Sequence, residues 1–304
     1  MPKSPKAVPR ALSDTGVFGR GLLMGLAEVV PGVSGGTIAF ISGIYPQLVA
    51  ALASFGPQSL TLLRDPVAFW RHHDGRFLLV LGAGMALGVL AFARVMHWLL
   101  ATYEPLVWAF FSGVVAASVV AIGRQCPPLK LLLWGSVGTA VGIGLLWLPV
   151  MQQSPALWWV FVGGAVAVCA WLLPAVSGSY VLLLLGLYGP VITALSDLQW
   201  ALILTLVAGC AIGLLLFAQV LAWLLAHHRH SLLSLLTGFM LGALPKLWPW
   251  QLAATDGVVA LRLSPAAYTQ ATGEPAFVLA VMACAMVGAA ALWWLSRSTR
   301  DAQG

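Results

Sequence analysis

Long apolar runs alternate with short polar stretches along the whole chain. Runs at 77–100, 105–123, 129–150 and 200–226 reach the roughly 20 residues that a helix needs to cross a hydrocarbon layer. Two further candidates lie at 231–247 and 275–295, and two other apolar regions, 16–55 and 157–195, are interrupted near the middle by proline, glycine and serine. The pattern predicts an all-α polytopic membrane protein with about six full transmembrane helices and two broken, re-entrant helical hairpins, or up to about ten crossings if the hairpins span.

The two interruptions resemble each other. The first reads Ala27-Glu28-Val29-Val30-Pro31-Gly32-Val33-Ser34-Gly35-Gly36-Thr37 and runs on to Gly43-Ile44-Tyr45. The second reads Ala170-Trp171-Leu172-Leu173-Pro174-Ala175-Val176-Ser177-Gly178-Ser179-Tyr180 and runs on to Gly186-Leu187-Tyr188. At an offset of 143 residues Pro, Val, Ser, Gly, Gly and Tyr coincide. Further on, Gly84, Gly88, Phe92 and Trp98 fall on Gly209, Gly213, Phe217 and Trp223 at an offset of 125, and Gly113 falls on Gly238. Self-similarity of this kind marks an internal duplication. It divides the chain into an N-terminal tail (1–15), a first repeat (16–150, broken around 31–37) and a second repeat (151–304, broken around 174–180), together one membrane domain.

Composition removes the soluble alternative, because 61% hydrophobic and 8% charged residues cannot supply a water-exposed surface. The net charge of +6 is spread over short clusters between apolar runs, so it reads as a topology signal and not as a nucleic-acid footprint. Basic residues gather at the N-terminus, at Arg64, Arg71 and Arg76, at Arg124 and Lys130, at Arg229, and at Arg297 and Arg300; connections at 102–104, 151–155, 196–199 and 248–274 are poorly or evenly charged. Cytoplasmic loops are the basic ones. Both termini are therefore expected in the cytoplasm, the first interruption opens to the cytoplasm and the second outward, and the repeats are inverted, an arrangement typical of secondary transporters. The histidines His72, His73, His227, His228 and His230 are expected on solvated basic loops, and Trp98, Trp158, Trp159, Trp248 and Trp250 in an interfacial belt. The scattered cysteines suggest neither a disulfide framework nor a zinc site, and no cofactor is expected.

The interruptions carry the chemistry. Pro31 and Pro174 should each end a half-helix, Gly32, Gly35 and Gly36 permit non-helical backbone, and Ser34 and Ser177 can cap the half-helix that follows. A helix start offers free N–H groups and partial positive charge, so two starts meeting near the midplane can hold one phosphate; glycine-rich breaks can alternatively serve close packing. Glu28 is the one acidic residue well inside an apolar stretch. It is either paired with Arg20, a cap, or a site that couples a proton or cation to the phosphate. Arg94 and His97 share a helix face and either snorkel to the interface or, for Arg94, attract a lipid phosphate. The expected binding set is Glu28, Pro31, Gly32, Ser34, Gly35, Gly36, Thr37, Ser177, Gly178, Ser179, Tyr180 and Arg94.

The stretch Met24-Gly25-Leu26-Ala27-Glu28 through Pro31-Gly32-Val33-Ser34-Gly35-Gly36-Thr37 to Gly43-Ile44-Tyr45 closely resembles the signature of the PopT-like polyprenyl-phosphate transporters, and the likeness extends from about residue 16 to the last span. The second motif is looser, with Ala175 and Ser179 where the first has glycines. The resemblance implies a carrier that returns undecaprenyl phosphate from the outer to the inner leaflet of the bacterial plasma membrane, with polyprenyl-phosphate and membrane lipids as partners. A rival class is the integral membrane undecaprenyl-pyrophosphate phosphatases, which share a duplicated Pro-Gly-x-Ser segment. There an arginine follows the serine, whereas Gly35 and Gly178 stand at that position here, so the group that would stabilise a transferring phosphoryl is missing. An anion channel or assembly factor is a third alternative. In a protein whose native cysteines have been replaced, cysteines in the 64–76 loop and at His228 are expected to be shielded from an impermeant reagent added outside, and one at Gln152 to react. Labelling of Gln152 and the 64–76 loop from the same side would contradict the inverted arrangement.

Overall fold

The structure, a computed structural model, describes residues 13–29, 34–56, 59–62, 64–145, 156–174, 177–252 and 261–301. The chain runs through α1 (Asp14–Glu28), α2 (Gly35–Ile41), α3 (Tyr45–Ala53), α4 (Ser59–Leu62), α5 (Pro66–His72), α6 (Gly75–Gly123) and α7 (Pro128–Leu145). It continues through α8 (Leu157–Leu172), α9 (Gly178–Leu184), α10 (Tyr188–Ser196), α11 (Trp200–His227) and α12 (Arg229–Ala243). A 3-10 turn (Leu244–Leu247), an antiparallel pair of two-residue strands β1 (Gln251–Leu252) and β2 (Leu261–Arg262), α13 (Pro265–Thr272) and α14 (Val278–Asp301) complete it. Large aliphatic side chains point outward, with Leu279 84% and Leu90 78% exposed, while glycines face neighbouring helices; this is how a helical protein solvated by lipid is built.

Among the described residues α6, α7 and α11 are each long and apolar enough to cross a membrane, and the bent pairs α2–α3 and α9–α10 qualify when each pair is taken together. The runs 77–100 and 105–123 are not separated by a loop. They are two helices joined directly at Tyr103, whose φ of −136° and ψ of 41° are non-helical, and α6 names the pair. Pro105 lacks an N–H and disfavours helix just before it, so the ladder breaks over one residue. The polar 64–76 stretch also holds a helix, α5, capped by the Asp65 carboxylate, which accepts from Val67 N (3.1 Å) and Ala68 N (3.0 Å). The 248–274 connection contains the strand pair and α13. The 151–155 connection lies outside the described residues.

Each interrupted region breaks twice, where the sequence suggested one break. Beyond the proline-containing break, α2 and α3 meet at 117° and α9 and α10 at 110°. The turns are built alike. Gly43 (φ +78°) donates to Phe40 O (3.4 Å) and Ile44 N to Ala39 O (3.1 Å); Gly186 (φ +69°) donates to Leu183 O (3.0 Å) and Leu187 N to Leu182 O (2.8 Å). Both are Schellman endings, in which the residue after the cap must be left-handed, a conformation glycine adopts without a Cβ penalty.

Close backbone contacts also recur. Gly84 and Gly88 of α6 press on the carbonyls of Phe18 and Leu22 in α1, as Gly209 and Gly213 of α11 press on those of Phe161 and Ala165 in α8. Gly113 lies against Ala285 of α14, and Gly238 against Gly135 of α7, so α14 packs on the C-terminal part of α6 and α7 on α12. The main core, around Met24, Tyr45, Val49 and Leu81, also includes Leu172, Leu221 and Leu236, so it joins the two halves of the chain.

Two side chains expected at the surface are buried. Trp250 is 7% exposed, its Nε1–H donating to Ala276 O (2.8 Å). His73 is 1% exposed, stacked on Phe55 (centroids 4.0 Å apart) and edge-on to Phe69 (4.4 Å). Its Nδ1 meets Ser54 Oγ (2.7 Å). Because Ser54 Oγ–H donates to Ala51 O (2.6 Å), Nδ1 carries the proton, and the buried Nε2 has no partner. Burial, and secondarily the His72 charge, hold this imidazole below its ordinary value of 6.5. An unfolded chain binds the proton more readily than the native one, so stability is complete above the unfolded pKa and declines as pH falls through it. The unfolding temperature of purified protein is expected to drop between about pH 7.5 and pH 5.5, and to drop less in His73→Phe; an equal drop in both would show that His73 is not the group responsible.

Candidate functional site

The start of α2 is built around two acceptors. Ser34, extended at φ −118° and ψ 138°, accepts from Gly36 N (3.1 Å) as an N-cap, and its carbonyl accepts from Thr37 N (2.9 Å). The remaining donor, Gly35 N–H, goes to Glu28 Oε1 (2.6 Å). The same oxygen accepts from Trp171 Nε1–H (2.7 Å), and Ser34 Oγ–H donates to Trp171 O (3.2 Å). Glu28 and Trp171 stand 143 residues apart, the repeat offset, so equivalent positions of the two segments meet through one hydrogen bond. The anion at this helix start is the chain's own carboxylate, favoured there by the backbone donors and the helix dipole.

Of the two structural readings of Glu28, the cap holds and the pair with Arg20 does not. Arg20 Nη1 donates to Gly16 O (2.9 Å) and Nε to Ser42 O (3.2 Å). The glycines are packing positions: a Cβ on Gly35 would lie 2.7 Å from Glu28 Oε1, one on Gly36 2.6 Å from Trp171 O, and one on Gly178 2.7 Å from Ala167 O. Their lack of a side chain lets the half-helices seat against α1 and α8.

At the second break α8 ends at Leu172, two residues before buried Pro174. Ser177 does not cap α9. Its Oγ pairs with Ser179 Oγ (2.7 Å), and its carbonyl accepts from Val181 N (3.2 Å). Tyr180 donates to Leu145 O (3.3 Å) and lies under the Lys246 ammonium, 3.3 Å from the ring centroid. The structure thus gathers Glu28, Ser34, Gly35, Gly36 and Thr37 at one point, and Ser177, Gly178, Ser179 and Tyr180 at a second. The join between the segments runs from the start of α2 to the end of α8. Arg94 is elsewhere, exposed on α6 beside His97 and Trp98. Pro31 and Gly32 lie outside the described residues.

Sequence reasoning missed Trp171 and Lys246. The repeat sets Trp171 opposite the half-buried Glu28, but nothing in the spacing says that equivalent positions touch. Lys246 was signalled by its place in an otherwise apolar run, where a cation needs a partner; the Tyr180 face supplies a cation–π contact.

Broken helices that meet through a polar node are an arrangement found in membrane transporters. Comparison with known proteins gives the family. Residues 24–260 match the VCA0040-like family, described as undecaprenyl phosphate translocase-like, and the chain belongs to it. It is 42% identical over 236 residues to a polyprenyl-phosphate transporter of Vibrio cholerae, covering 76% of this chain and 77% of that one. It is 27% identical over 250 residues to a polyprenyl-phosphate transporter of Staphylococcus aureus, covering 76% and 84%. No solved structure matches. These relatives place the chain among transporters and not among the phosphatases.

The node makes a measurable prediction. Trp171→Phe keeps the ring but removes the donor to Glu28, and is expected to lower stability by about 1–3 kcal/mol in denaturant unfolding. In a Glu28→Ala background the same change should cost almost nothing further. Equal costs in the two backgrounds would show that the indole acts through packing alone.

Proposed function

We propose that the chain carries polyprenyl phosphate, undecaprenyl phosphate included, from the outer to the inner leaflet of the bacterial plasma membrane, with the phosphate held near the midplane between the two broken segments. The carrying observation is the Glu28 carboxylate on Gly35 N–H and Trp171 Nε1–H. Donors that hold a carboxylate suit a phosphate, and the two anions repel each other when they share one site. A proton on Glu28 removes its charge and frees these donors, so phosphate arrival and proton uptake become linked. At the second break the Ser177 side chain leaves the α9 backbone donors uncapped, which favours an anion there, and Lys246 lies over the Tyr180 ring. The membrane potential supplies about 2.3 kcal/mol per charge per 100 mV to such a coupled step.

The recurrence of the Schellman turns and of the glycine contacts at the same offsets supports two equivalent repeats. Alternation of the basic clusters supports their inversion, with both termini cytoplasmic. In this reading the bent pairs re-enter and do not cross.

Liposomes with labelled polyprenyl phosphate on one leaflet, with and without a proton gradient, test the proposal. Wild-type protein is expected to move the label faster with the gradient. Glu28→Gln, a mimic of the protonated form, is expected to retain lipid binding and lose the pH dependence. Transport by Glu28→Gln with an unchanged pH profile would remove the coupling role, and no movement by wild type would remove the transport reading.

A further inference from the structure

A second polar site lies under the α2–α3 bend, apart from the Glu28 node. There a cavity of about 290 Å³ is near the lower end of the roughly 300–1,000 Å³ usual for small-molecule sites. Its polar lining comes from Tyr45, Ser118, Gln125 and Arg229, and its apolar lining includes Leu225 and Leu233. Tyr45 is 1% exposed and its hydroxyl has no hydrogen-bond partner. Leaving such a group unpaired costs about 1–3 kcal/mol, so its presence calls for an acceptor that the chain does not provide. The ring is held by an edge contact with Phe40 (centroids 5.2 Å apart), which makes the hydroxyl a fixed donor.

The other polar groups agree on the sign of the missing partner. Ser118 already donates to Val114 O (2.6 Å), and Gln125 Nε2 donates to Ala121 O (3.2 Å), which leaves its second N–H. Arg229, the first residue of α12, lines the cavity and brings a guanidinium to it. The one ion pair among the described residues, Arg76 with Asp14, lies elsewhere. A phenol donor, an amide donor and a guanidinium beside an aliphatic wall suit an anion with a short apolar tail.

We propose that this cavity binds a phosphate monoester headgroup, with the first part of an isoprenoid tail along Leu225 and Leu233. The inference rests on the transport reading for the identity of the lipid, but not for the site. Arg229 belongs to a basic cluster read as cytoplasmic, so the cavity is a release station on that side.

Purified full-length protein in detergent can be titrated with farnesyl phosphate, farnesol and inorganic phosphate while the unfolding temperature is followed. Farnesyl phosphate is expected to stabilise wild type and farnesol not to. Tyr45→Phe and Arg229→Gln should each weaken farnesyl phosphate binding by about tenfold or more, and Arg229→Lys should recover part of it. Without ligand, Tyr45→Phe should unfold at the same or a higher temperature, because it removes a buried hydroxyl that lacks a partner. A lower unfolding temperature for ligand-free Tyr45→Phe, or undiminished farnesyl phosphate binding in both variants, overturns the site and leaves the transport reading standing. Stabilisation by inorganic phosphate alone, dependent on Tyr45 and Arg229, would overturn the lipid assignment of this cavity, while the liposome assay decides the transport reading separately.

Discussion

A carboxylate inside an apolar protein must be met by donors, and Glu28 draws its donors from two places distant in the chain. One is the backbone of α2, the other the indole of Trp171 at the end of α8. Neither donor is placed by local sequence alone. Ser34 starts α2 by capping it, Gly35 and Gly36 allow α2 to seat against α1 and α8, and Pro174 ends the helix that carries Trp171. Loss of any of these would leave the half-buried carboxylate short of a donor, at a cost of about 1–3 kcal/mol. The node therefore binds the two broken segments to each other.

The two halves are alike in backbone and unlike in chemistry. Turns and glycine contacts recur, yet Glu28 in one half corresponds to Trp171 in the other, and the Ser34 cap corresponds to a Ser177 that turns to Ser179. A backbone duplicated in this way can keep its packing while single side chains diverge, because contacts between small residues depend on the absence of side chains.

Much of this was legible in the residues. The all-helical membrane class follows from apolar runs and scarce charge, and the duplicated breaks from the offset of 143. Ser34 as a cap and Pro174 as a terminator follow from elementary backbone chemistry. The break inside α6 at Tyr103 was legible from the polar triplet before Pro105, although not that the two helices join there without a loop. His73 looked like a solvated loop residue because its aromatic neighbours Phe55 and Phe69 come together only when the segment after α3 folds onto α5. Trp171 as a partner of Glu28 required knowing that equivalent positions touch, and no spacing rule says so.

The Schellman turns at Gly43 and Gly186 have a mechanical meaning. Each sharp bend satisfies its last carbonyls from within the turn, through Ile44 and Leu187, so the change of direction needs no outside partner to complete its hydrogen bonding. The bent pairs are therefore preassembled elbows. Either elbow can move as one rigid piece while every bond inside its turn stays intact, and for the first elbow the resistance to such a move lies in the polar contacts that anchor it from outside, Glu28 and Trp171 at the start of α2 and Arg20 at Ser42 O.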